Sequence, residues 1–186
     1  MGKCIIFVSG LLAAGKTTFS EYLSKELGIL LINKDYIKEI LGETVGFNNR
    51  EENLKLSLAT HHLMRHIARN SMKIGLPLIL ESNFNPSDAE HFKYEIQKYM
   101  YSPITVMLTG DKRILYKRFI ERWEERHPAH KSFPLPTWEE FNAGPDDDWE
   151  RFDVGGEKLT IDTTNFENVR FDEIVTEIFK IKRSFA

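Results

Sequence analysis

Cysteine is almost missing from this sequence. The single one, Cys4, leaves no intrachain disulfide to form, which excludes a small scaffold held together by such bonds. Cys4 lies in an apolar run and reads as a small packing residue. Long apolar runs are missing too, so no membrane partner is expected. Nor does one sign of charge dominate: 25 Lys and Arg stand against 28 Asp and Glu, a formal net charge of -3 at pH 7. That balance gathers no polyanion at long range, so nucleic acid is not the favoured partner, although a local basic groove stays open as a possibility. Internal repeats, low-complexity tracts and obvious linkers are absent. Met1-Gly2 could open a myristoylation site, but Ile6 stands where Ser or Thr is needed. A secretory leader is opposed by Lys16, which interrupts a short apolar run where a cleavage region would fall. The expected location is the cytoplasm. The 186 residues, 41% of them hydrophobic and 28% charged, suffice for a single domain spanning 1–186 with a substantial core.

What the sequence does contain is Gly10-Leu11-Leu12-Ala13-Ala14-Gly15-Lys16-Thr17, followed by Thr18. It fits G-x-x-x-x-G-K-[ST], and it lies between an apolar run, Cys4-Ile5-Ile6-Phe7-Val8, and a helical pattern. In that context backbone N–H groups of a small-residue loop converge on an anion, and the following helix directs its positive end to the same point. Lys16 is expected to reach the β- and γ-phosphates of a nucleotide, and the Thr17 hydroxyl to join a Mg²⁺ site.

Apolar patterning predicts strands over 3–8, 29–32, 76–81, 104–108 and 158–162. Helices are expected over 16–27, 36–41, 53–73, from Pro86 to about Tyr99, over 111–126 and over 172–182. Gly28 and Gly42 act as stops, and Asn85-Pro86 reads as an N-cap and first helical position. Residues 43–52 read as a loop. Segment 127–148 holds Pro128, Pro134, Pro136, Gly144 and Pro145 and has little periodicity, whereas Trp138, Phe141 and Trp149 argue against plain disorder. A lid over about 112–148 is the expected use of such a stretch. Strands alternating with helices imply an α/β fold with a parallel sheet covered on both faces. Ligands of such sheets bind at the carboxyl ends of the strands. One rim should therefore carry the loop after the first strand, Asp35 after the second, Glu81 at the end of the third, Asp111 after the fourth and Asp162-Thr163-Thr164-Asn165 after the fifth.

Asp35 is placed to accept the proton of a hydroxyl that attacks a γ-phosphate, or to cap the helix that follows. Glu81, an acid ending an apolar strand, suits Mg²⁺ or the hydroxyls of an acceptor. Arg118, Arg122 and Arg126 recur at i, i+4 and i+8, so on one helix they would share a face and could neutralise a transferring phosphoryl group. Glu121, Glu124 and Glu125 offer them surface partners instead. His61, His62 and His66 lack the carboxylate of H-E-x-x-H and read as ordinary helical histidines. Asp146-Asp147-Asp148 follows no apolar strand and reads as a helix start or turn. Asn33-Lys34-Asp35 has the wrong spacing for a guanine-reading N-K-x-D motif.

In this order the motifs resemble P-loop kinases of the zeta-toxin, chloramphenicol-phosphotransferase and polynucleotide-kinase type. The resemblance rests on Ser9-Gly10 through Thr18, Lys34-Asp35, Glu81, the arginine-rich segment ending Arg126-His127-Pro128, and Ile161-Asp162-Thr163-Thr164. It implies a three-layer P-loop NTPase fold, with a five-stranded parallel sheet of order 2-3-1-4-5 flanked by helices and a lid over ATP. It also implies that Asp35 is the catalytic carboxylate, that Lys16 and lid arginines handle phosphate, and that Thr163 and Thr164 lie near the nucleotide base. Ala13 replaces a glycine common inside the loop. Lys38 stands where polynucleotide kinases often carry an arginine, keeping the charge but losing the bidentate fork.

The reading is an ATP- and Mg²⁺-dependent transfer of the γ-phosphate to a hydroxyl of a small-molecule acceptor, with Asp35, Lys38 and Glu81 toward the acceptor. A polynucleotide 5′-hydroxyl kinase is the alternative, and it would need a basic channel to Asp35. A nucleotide-binding switch is the alternative of another class, and it would lack an acceptor pocket.

Overall fold

The computed structural model describes residues 3–131, 134–143 and 151–184. Its centre is a five-stranded, all-parallel sheet of order β2-β3-β1-β4-β5, which places the chain in the α/β P-loop NTPase-like class. The strands are β1 (Cys4–Gly10), β2 (Leu30–Asn33), β3 (Leu78–Glu81), β4 (Ser102–Thr109) and β5 (Glu157–Asp162). β1 is buried along its whole length, as a central strand covered on both faces must be.

Two apolar layers flank the sheet. On one side α1 (Lys16–Leu27) and the last helix pack against Ile6, Val8, Ile79 and Val106. On the other side α3 (Arg50–Lys73) and α4 (Pro86–Tyr99) cover Ile5, Phe7, Leu78 and Leu80, after α2 (Lys34–Thr44) has left β2. Here Phe7 meets Phe84, Phe92 and Phe152 at centroid distances of 5.4, 5.0 and 5.2 Å. A fully buried phenylalanine contributes about 2 kcal/mol through burial alone, so Phe152 fastens the chain beneath the sheet just before β5.

The helices end where local chemistry dictates. Gly28 closes α1 in the left-handed region at φ 61°. Asn85 and Asp88 form a reciprocal capping box for α4, with Pro86 in the first turn. α3 begins at Arg50, three residues before the sequence pattern suggests, because Asn49 caps it through Glu52 N. α2 likewise extends beyond 36–41, and the expected loop 43–52 shortens. Leu63 and Ile67 of α3 are exposed; Leu56, Thr60, Met64, Ala68 and Met72 form the buried stripe. At the end of α4, Tyr99 packs inward and Met100 points out.

The expected helix over 111–126 is shorter. α5 covers Lys112–Glu121 and stops at Arg122, and turns follow. Arg118, Arg122 and Arg126 therefore do not share one helix face. A 3-10 turn (Pro128–His130) and α6 (Trp138–Asn142) follow within the irregular stretch. Tyr116 packs edge-on against Trp138, Tyr116 and Phe119 of α5 pack at a tilt against Phe141, and the Tyr116 hydroxyl donates to Pro136 O at 2.9 Å. The aromatic residues thus fold segment 134–143 back onto α5. Residues 144–150, with the three aspartates and Trp149, lie outside the described residues. After β5 come a 3-10 turn (Phe166–Asn168) and α7 (Phe171–Ser184). Among the described residues no helix is long and apolar enough to cross a membrane.

Candidate active site

The loop from Gly10 to Thr17 adopts a conformation that few sequences allow. Gly10 sits at φ 130°, and a Cβ there would lie 1.9 Å from Leu108 O. Gly15, at φ 84°, precedes α1, and its Cβ would strike the Phe166 ring at 2.2 Å. Both positions require glycine. Ala13 lies between them at φ 59°, a left-handed conformation held by a residue with a side chain. Among the described residues no side chain caps α1 at Gly15, so the helix presents its first N–H groups and its positive end to the cleft.

A small polar cleft of about 110 Å³ opens over this loop. Leu12, Ala13, Gly15, Lys16, Thr17 and Thr18 form its floor, and Asp35, Glu81, Ser82, Asn83, Arg122 and Arg126 its walls. Of the rim expected from strand order, the cleft gathers the loop, Asp35 and Glu81, whereas Asp111 and residues 162–165 are not in its lining; two of the three candidate arginines reach it. Lys16 Nζ donates to Gly10 O and Leu11 O at 3.1 and 2.7 Å. Burial lowers its pKa to about 8, against the raising influence of Glu81 and Asp35.

Glu81 is the most heavily coordinated carboxylate of the cleft. It is 4% exposed. Its Oε1 accepts from Thr17 Oγ1 at 3.1 Å, its Oε2 from Ser20 Oγ at 2.9 Å, and Asn33 Nδ2 also donates to Oε2. Burial raises its pKa, while Lys16 and the two hydroxyls oppose the shift. An oxygen-rich pair, Thr17 Oγ1 and Glu81, suits the hard-ligand preference of Mg²⁺.

Asn33 and Ser20 carry part of this arrangement, and the sequence reading gave neither a role. Asn33 Oδ1 caps α2 by accepting from Asp35 N at 2.7 Å and Tyr36 N at 3.2 Å. The cap is therefore Asn33 and not Asp35, whose carboxylate is left exposed in the first turn of α2 at the mouth of the cleft. A strand-ending Asn just before a helix was the available signal.

Lys38 goes elsewhere. It is buried, and its Nζ donates to Ala129 O at 2.8 Å, beside Asn53 Nδ2 on the same oxygen at 3.0 Å. Burial lowers its pKa. His130 Nε2 lies 3.0 Å from Glu39 Oε1, and His127 Nε2 lies 3.5 Å from Glu43 Oε1. Lys38 and Asn53 thus tie the segment after Arg126 to α2 and α3, and the Lys38 ammonium is committed to that backbone carbonyl.

Arg118 also differs from its two companions. It donates to Thr163 O and Thr164 O, both at 2.8 Å, and stands 5.9 Å from the centroid of Phe166. The Thr163 side chain is buried against Thr109 O, and Thr164 Oγ1 accepts from Asp111 N. Those hydroxyls hold the residues after β5 to the end of β4 and to the start of α5. Arg118 and Phe166 border a second recess of about 210 Å³ with Ala13, Gly15, Thr18 and Arg122, on the α5 side of the loop.

A phosphate-binding loop, a threonine–glutamate pair and a parallel sheet of this order define a P-loop protein of the α/β class. Residues 6–132 match the model of the AAA domain family, and the chain belongs to that family. It is 28% identical to a presumed kinase from Chloroflexus aurantiacus, covering 97% of this chain and 98% of that one, with a TM-score of 0.85. At 17% identity it shares the fold of the APS kinase of Mycobacterium tuberculosis, solved with AMPPNP and APS, with a TM-score of 0.57 and coverage of 97% of this chain and 96% of that one. The shikimate kinase of Bacteroides thetaiotaomicron gives the same score at 16% identity, with coverage of 96% and 97%. Curated protein sequences give no match.

Proposed function

We propose that the protein is an ATP-dependent kinase that transfers the γ-phosphate to a hydroxyl group of a small molecule in the cytoplasm. The observation that carries this is the shared cleft. Lys16, Arg122 and Arg126 face it from the phosphate side, and the exposed Asp35 carboxylate stands at its mouth. The kinase names of the structural neighbours support the same reading. The narrower likeness to the zeta-toxin and chloramphenicol-phosphotransferase type rests on the sequence motifs.

The chain's own groups divide the work as follows. The N–H groups from Ala13 to Thr18 and the Lys16 ammonium hold the β- and γ-phosphates. Asp35 accepts the proton as the acceptor oxygen bonds to phosphorus and the bond to ADP breaks. Arg122 and Arg126 neutralise charge on the transferring group. Burial lowers the Arg126 pKa, Asp35 raises it, and its Nε is buried without a protein partner among the described residues. Arg118 and Phe166 shape the nucleoside side. The segment 112–148 serves as the lid, held at Ala129 by Lys38. Thr17 and Glu81 would hold Mg²⁺, which supplies charge neutralisation at the phosphates when bound.

The test is a screen of hydroxylated acceptors with γ-labelled ATP. Labelled product above background hydrolysis, lost in Asp35→Asn, supports the kinase; hydrolysis alone with every acceptor favours a nucleotide-driven switch.

A further inference from the structure

Asn33 ends β2 directly beside Glu81, which ends β3; the two are register partners in the parallel sheet. Both are buried. The Asn33 amide is used at both ends. Its Nδ2 donates to Glu81 Oε2, and its Oδ1 accepts from Asp35 N at 2.7 Å and Tyr36 N at 3.2 Å. These partners fix which way the amide points, because the opposite orientation would set its oxygen against the carboxylate and its NH₂ against backbone N–H groups. One planar group therefore joins the carboxylate beside the phosphate loop to the first turn of the helix that carries Asp35.

The two oxygens of Glu81 are treated differently. Oε1 accepts from Thr17 Oγ1, whereas Oε2 accepts from Asn33 Nδ2 and Ser20 Oγ. The Ser20 hydroxyl has one proton and two acceptors within reach, Glu81 Oε2 at 2.9 Å and Thr17 O at 3.1 Å, so its donation is divided. Asn33 Nδ2 has no second acceptor to divide it among the described residues. Capping α2 alone would need only an acceptor, which serine or aspartate supplies equally well. Serine is shorter by one bond beyond Cβ, and aspartate would set a second negative charge against Glu81. Asparagine is the capping residue whose second arm is a separate donor.

We infer that Asn33 is a positioning residue of the transfer reaction: it holds Glu81 by Oε2, which keeps Oε1 and Thr17 for Mg²⁺, and through the α2 cap it sets Asp35 at a fixed place relative to that carboxylate. The role rests on the kinase reading. Asn33 is not in the cleft lining, so it acts through Glu81 and Asp35 and not on the substrates. Outer partners of this kind count because a ligating carboxylate that turns out of place loses metal although it is still present.

Calorimetry of AMPPNP binding with excess Mg²⁺ and with EDTA tests this, since the ratio of the two affinities reads the metal site. Asn33→Ser keeps a capping oxygen for α2 and removes the arm to Glu81. The ratio should fall by about tenfold or more, toward that of Glu81→Gln, while the affinity in EDTA stays unchanged. The double variant should lose no more than Glu81→Gln alone. With an acceptor found in the screen, Asn33→Ser should lower kcat and leave the acceptor KM nearly unchanged. An unchanged ratio in Asn33→Ser, an equal loss with Mg²⁺ and with EDTA, losses that multiply in the double variant, or a wild type indifferent to Mg²⁺ overturns the inference. If Asn33→Ser does not fold, Asn33→Gly, also an accepted capping residue, carries the same comparison. Failure of wild type to bind AMPPNP at all removes the kinase reading and the Asn33 role together; AMPPNP binding with a ratio untouched by Asn33→Ser removes the Asn33 role alone.

Discussion

Lys38 Nζ donates to Ala129 O at 2.8 Å, joining residues 91 positions apart in the chain. Asn53 Nδ2 occupies the second lone pair of that oxygen. The two donors back each other up. Lys38→Met alone should cost little, since it also removes a buried ammonium, and Asn53→Ala about 1 kcal/mol. The double variant leaves a buried carbonyl unsatisfied, and its loss should exceed the sum of the single ones by about 1 kcal/mol or more. Urea unfolding of the four proteins measures this.

Lys16 titrates where nucleotide binding can report it. With the free-protein pKa lowered to about 8 by burial, the ammonium that meets the phosphates is progressively lost above that pH. Nucleotide affinity should therefore fall as pH rises through 8, and binding at pH 8 should take up protons. Calorimetry in buffers of different ionisation enthalpy reads both. The stability sign is the reverse: the folded pKa lies below the unfolded 10.5, so burial of the charge destabilises the fold below 8 and this is relieved between 8 and 10.5. Lys16→Met should melt higher than wild type at pH 7, show no AMPPNP-induced shift, and lose its stability advantage toward pH 10.5.

Asp35 is exposed and does not cap α2. Its replacement by Asn should leave helix and nucleotide binding nearly unchanged and depress transfer by a factor on the order of 10² or more. Equal losses in binding and turnover would make it a structural residue.

The arginines should separate by kinetic class. Arg118→Ala frees the Thr163 and Thr164 carbonyls and should act mainly on nucleotide KM. Arg126→Ala should act mainly on kcat, because its charge counts most for the transferring group. A matching effect of the two on both parameters would contradict the division of roles.

Ala13 holds φ 59°. Ala13→Gly removes a left-handed penalty of about 1–2 kcal/mol and adds unfolded-chain entropy worth about 0.4–1 kcal/mol. The net expectation is a slight gain in the urea midpoint, in contrast to the loss that Ala→Gly produces on an exposed helix.

Much of the site was legible because its chemistry is local. Gly10, Gly15, Lys16 and Thr17 are fixed by loop conformation, and strand–helix alternation places Asp35 and Glu81 on the same rim. The arginines were harder to read. A spacing of four suggests a common face only while the helix continues, and α5 stops at Glu121. Leu63 and Ile67 of α3 are apolar yet exposed, because which stripe of the helix is buried depends on what packs against it.

The sequence alone determined the phosphate loop, the alternation that produces a parallel sheet, and the position of carboxylates after strands 2 and 3. Each follows from residues within a few positions of one another, where backbone sterics and periodicity act. Tertiary structure decided the partnerships: Asn33 and Ser20 on Glu81, Lys38 on Ala129, and Arg118 on Thr163 and Thr164. Those depend on which donors and acceptors meet when helices settle on a sheet, and burial makes each unsatisfied group costly.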